Sequence, residues 1–83
     1  MSKYNIMTVL IEHRRDTAEK VQVLLTKYGC NIKVRLGLHE ADGVCAEDGL
    51  MVLQLVGDQT DINALLEKLK ALDGVQAKLA VFN

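Results

Sequence analysis

The sequence predicts an α+β fold, a ferredoxin-like βαββαβ sandwich in which a four-stranded antiparallel sheet carries two helices on one face. Three observations predict it. Apolar periodicity switches between alternation and helical spacing in the order strand, helix, strand, strand, helix, strand. Each half of the chain runs from a strand through about three turns of helix into another strand, and right-handed crossovers then put both helices on one side. The first and third strand segments are apolar on both faces, as central strands are, whereas the second and fourth alternate one-sidedly, as edge strands do.

Tyr4 to Glu12 is rich in β-branched and apolar residues and predicts the first strand. Asp16 opens a helix, with Glu19 three residues on as the acidic form of a capping box. Ala18, Val21, Leu24, Leu25 and Tyr28 follow at helical spacing, and Gly29 is expected to close the helix in a left-handed conformation. From Cys30 to Leu36 the pattern alternates. Cys30, Ile32, Val34 and Leu36 fall on one side and Asn31, Lys33 and Arg35 on the other. Gly37 to Gly49 forms a longer polar connection, and glycine within Leu36-Gly37-Leu38 predicts a bulge or a close backbone approach. Leu50 to Val56 predicts the third strand, and Gly57-Asp58 turns into the second helix. Ile62, Leu65, Leu66, Leu69 and Leu72 form its apolar stripe and Gly74 its cap; Val75 to Phe82 alternates again, with Val75, Ala77, Leu79 and Val81 on one face.

The 83 residues, 49% hydrophobic and 25% charged, suit one globular domain spanning 1–83 rather than a disordered chain. A net charge of −1 offers no basic surface for a phosphate backbone, so direct DNA binding by this chain is not expected. The two cysteines, Cys30 and Cys45, are too few for a disulfide framework, and no leader or membrane-spanning stretch stands out. These features predict a cytoplasmic protein with reduced thiols and no membrane partner.

Central strands apolar on both faces need cover on both, and helices supply only one. Thr8 and Gln54 mark the open face, which Ile6, Leu10, Val52 and Val56 would line, with Lys33, Arg35 and Lys78 around them. An apolar patch with a charged rim is a partner surface. A chain this short is also marginal alone, so the expected partner is another copy, in a dimer or tetramer.

Chemistry-bearing residues are few. His13, Arg14 and Arg15 precede the first helix, where free N–H groups and the positive dipole end favour an anionic small molecule. Arg35 and Gly37 complete this candidate ligand set, the glycine because it would let the hairpin bend around a ligand or across a subunit interface. No glycine-rich phosphate loop is present. His39 and Cys45 stand six apart in the hairpin connection and are donors suited to zinc or nickel. Two donors do not close a metal site, and His13 and Cys30 could contribute only if the fold or a symmetry mate brings them close. No third group can be named to orient a Cys–His pair, so catalysis is not expected, and the sequence names no cofactor.

Several segments also resemble one small family. They are the Lys27-Tyr28-Gly29 helix end, the run Val34-Arg35-Leu36-Gly37-Leu38-His39, Asp48-Gly49-Leu50 entering the third strand, and Leu72-Asp73-Gly74-Val75-Gln76-Ala77-Lys78. With the strand–helix order, they are similar to the regulators associated with iron-only hydrogenase systems, a group of stand-alone ACT-like domains. The resemblance covers nearly the whole chain and implies a non-enzymatic role sensing a small-molecule or metal effector for a regulated protein partner. The fold it implies is also similar to the ligand-binding domain of the nickel-responsive repressor. His39 and Cys45 resemble part of that repressor's ligand set, although Gly37 stands where it has a further histidine and its DNA-binding segment is absent. The alternative function is therefore a metal-binding accessory protein using His39 and Cys45. Amino-acid-binding ACT domains carry a glycine between first strand and first helix, where this chain has His13-Arg14-Arg15-Asp16.

Overall fold

A computed structural model describes residues 4–12, 15–38 and 49–83. In chain order these form β1 (Tyr4–Ile11), α1 (Arg15–Lys27), a short 3₁₀ turn (Gly29–Asn31), β2 (Ile32–Leu38), β3 (Gly49–Leu55), α2 (Gln59–Lys70) and β4 (Val75–Phe82). The antiparallel sheet has the order β2-β3-β1-β4, so the two doubly apolar strands are central and the fold is the ferredoxin-like βαββαβ arrangement.

Burial along β1 alternates from end to end. Asn5, Met7, Val9 and Ile11 are buried, while Ile6 and Leu10 are half-covered and Tyr4 and Thr8 exposed. The buried set faces the helices, because Met7, Val9, Leu53, Leu55, Val75 and Ala77 form one core with Val21 and Leu25 of α1 and Ile62, Leu65 and Leu69 of α2. Residues directly paired across an antiparallel sheet share a face. The register therefore assigns every strand: Met7 pairs with Leu53 and Leu79 on the helix side, and Thr8 pairs with Val52 and Lys78 on the other.

Several local expectations are corrected. Gly29 is not left-handed; among the described residues only Gly57 and Gly74 have positive φ, and α1 instead tightens into a 3₁₀ turn that takes Cys30 and Asn31 out of β2. Ala18 is exposed, and Thr17 is the buried residue of that turn, its Oγ1 donating to the Asp73 carbonyl at 3.2 Å. The irregularity in β2 is not at Gly37, which pairs regularly with Met51, but between Ile32 and Val34, where Lys33 is an extra residue. The extra residue reverses the phase of the strand. Ile32 pairs with Leu55 on the helix side, whereas Val34 and Leu36 pair with Gln54 and Val52 on the open side. Arg35, expected on the open rim, pairs with Leu53 and lies on the helix side.

Candidate functional site

Two regions concern function: the junction between β1 and α1, and the sheet face that the helices leave uncovered. At the junction the frame is explicit. Glu12, just past β1, donates its N–H to the Gly74 carbonyl at 2.8 Å, and Thr17 in the first turns of α1 holds the Asp73 carbonyl. Gly74 has φ +81°, a conformation natural to glycine, which lets the α2–β4 turn present both carbonyls to that junction. His13 and Arg14 lie outside the described residues. Arg15 is the first residue of α1, and its side chain lies outside the description too.

Arg35 does not join that group. Its Nη2 donates to Gln22 Oε1 at 2.7 Å, which ties β2 to the middle of α1. Gln22 is seven residues beyond Arg15, about 10 Å along the helix axis at ~1.5 Å per residue. Gly37 lies on the same helix-facing side of β2, opposite Met51. His39 and Cys45 lie outside the described residues, in the connection between Leu38 and Gly49. The last described pair before that connection is Leu38 with Leu50. Among the described residues no group of three or more His, Cys, Asp or Glu could hold a metal ion. Cys30 is a free, exposed thiol.

On the open face, Ile6, Leu10 and Val52 sit where the alternation puts them, all half-buried, and Val56 follows β3 with its N–H donated to the Asn31 carbonyl at 2.8 Å. Sequence reasoning missed two further members, Val34 and Leu36, which are 48% and 53% exposed. Their apolar character was visible; their side of the sheet was not, because it depends on the extra residue at Lys33. It also missed Asn5. This residue is 4% exposed on the helix-facing side of β1, and its Oδ1 is buried without a hydrogen-bond partner. Among the described residues no helix is long and apolar enough to cross a membrane.

The profile of one family, "TM1266-like: Iron-only hydrogenase system regulator, putative", matches residues 3–79. The chain belongs to this family. No curated protein matches the chain. As a TM1266-like chain it is similar to the uncharacterised protein TM1266 of Thermotoga maritima, at 26% identity and a TM-score of 0.85, with 99% of this chain and 100% of that one covered. It shares its fold with the ACT domain from GTP pyrophosphokinase of Chlorobium tepidum, at 16% identity and a TM-score of 0.70, over 93% of this chain and 96% of that one. A formyltetrahydrofolate deformylase from Pseudomonas putida is more distant, at 13% identity and a TM-score of 0.57, covering 93% of this chain and 28% of that one. The TM1266-like chain is thus a regulator-family protein with an ACT-like fold.

Proposed function

We propose that this chain is a non-enzymatic, cytoplasmic regulatory domain that works as a homo-oligomer, senses a small anionic effector and conveys its presence to a regulated protein partner of an iron-only hydrogenase system. The observation that carries this reading is membership of the regulator family over residues 3–79. The β1–α1 junction is the place proposed for the effector. There Glu12 and Thr17 are each anchored to the α2–β4 turn, and His13, Arg14 and Arg15 follow Glu12 in the sequence, where α1 begins.

Native mass spectrometry of protein purified from its own source tests this. The expected spectrum is a dimer or tetramer carrying a retained small molecule, which is lost in Arg14→Ala and Arg15→Ala. A ligand-free monomer with no binding of cell extract metabolites would overturn the reading. The alternative, a metal-binding accessory protein, draws on the placement of His39 and Cys45 in one connection between paired strands. It requires a zinc or nickel adduct that disappears in His39→Ala and Cys45→Ala.

A further inference from the structure

We infer that a second copy of this chain covers the open face of the sheet, sheet against sheet, about a two-fold axis passing close to Thr8 and Gln54. The inference rests on the homo-oligomer reading and specifies which surface makes the contact. The described part of the face holds Ile6, Leu10, Val34, Leu36, Leu50 and Val52 as one apolar field across β2, β3 and β1. Val34, Leu36 and Leu50 are among the exposed large hydrophobic residues of the molecule, and a contiguous exposed apolar patch marks an interaction surface.

What identifies the occupant is the polar chemistry inside the field. Thr8 pairs with Val52 and Gln54 with Ile6, so the two polar residues are diagonal neighbours on the two central strands. A hydroxyl and an amide each donate and accept. Such groups can satisfy their own copies across a two-fold axis, which a buried lysine or carboxylate cannot. Among the described residues paired across the sheet, the face holds one charged side chain, Lys78, opposite Thr8 on the edge strand β4, where its long stem can carry the ammonium outward. A basic partner would find no matching charge there, and an acidic partner or an anionic membrane surface only this single cation at the edge.

The area also fits. Four strands about 4.8 Å apart and seven to eight residues long at about 3.4 Å each cover about 500 Å². Two copies would then bury about 1,000 Å², the lower bound for a specific interface. At that bound the assembly depends on the whole apolar field, and one added charge should separate the copies.

Leu36→Lys is the main test. Leu36 is exposed on an edge strand, so the folded monomer tolerates the change, while a two-fold contact meets it twice. The expected result is a rise of at least about 30-fold in the dimer dissociation constant with an unchanged circular dichroism spectrum. Gln54→Cys, in a background with Cys30→Ser and Cys45→Ser, supplies a measurement that does not depend on destabilising anything. Stacked sheets lie about 10 Å apart, too far for a direct disulfide, so a bismaleimide of about that span should link the copies. The same reagent should leave Lys20→Cys, on exposed α1, unlinked. A wild-type dimer that neither links through Gln54→Cys nor responds to Leu36→Lys overturns the sheet-face contact and leaves the homo-oligomer reading standing. A wild type that is monomeric at tens of micromolar overturns both.

Discussion

Gly57 has φ +98°, and a Cβ built there would lie 2.6 Å from Asn31 Nδ2, the amide that donates to the Val56 carbonyl at 3.0 Å. Any side chain at 57 thus meets a backbone penalty and a displaced hydrogen bond together. Gly57→Ala should cost about 1–3 kcal/mol in urea denaturation, and Asn31→Ala about 1 kcal/mol. Asn5 predicts the opposite sign. Its Oδ1 is buried without a partner, so replacing the amide by the near-isosteric leucine removes a desolvation cost. Asn5→Leu should raise stability by about 1 kcal/mol; a loss of that size would mean that the amide has a role the hydrogen bonds do not reveal. Lys68 titrates above the ordinary lysine range, first because of a hydrogen bond with Tyr28, whose ring centroid lies 5.3 Å from its Nζ. A folded-state value raised in this way leaves any stabilisation intact through neutral pH and removes it only as pH climbs through that raised value. Tyr28→Phe should lower the midpoint of the Lys68 titration followed by NMR.

Among the elements, the helices and three of the strands were legible because their signal is periodic. β4 runs over Val75–Phe82 as its alternation indicates, and α2 buries Ile62, Leu65 and Leu69 of its expected stripe. Caps were less legible. Asp58 occupies the N-cap of α2, yet its side chain makes no capping hydrogen bond; its carbonyl accepts from the N–H groups of Asp61 and Ile62 instead. Asp58→Ala should therefore cost no more than a few tenths of a kcal/mol, against about 1 kcal/mol for a working cap. β2 was misread for a definite reason. Ile32, Val34 and Leu36 alternate perfectly, and an extra residue leaves no mark on such a pattern. The candidate site inherited that error at Arg35, while His13, Arg14, His39 and Cys45 fall outside the described residues. Because Lys33 is the surplus residue, deleting it should leave the pairing on either side intact. Deleting Arg35 should shift Leu36 and Gly37 against β3, so thermal unfolding should separate the two deletions clearly.

At the scale of the whole molecule, the chain carries a net charge of −1, which gives it no excess of cations for a phosphate backbone. Added duplex DNA should produce no salt-sensitive complex with the isolated protein; steep weakening with added salt would reveal phosphate contacts that the charge balance does not suggest. The surplus residue of β2 has one more consequence. It lies in an edge strand, where only one neighbour would resist its migration. Carried from Lys33 to Gly37, it would restore the alternation written in the sequence and turn over the four residues from Lys33 to Leu36. Val34 and Leu36 would turn inward, and Lys33 and Arg35 would take their places on the uncovered face. No other strand need move. A sliding dislocation of this kind would convert a greasy surface into a cationic one by changing phase alone, without the chemistry of a single side chain being altered.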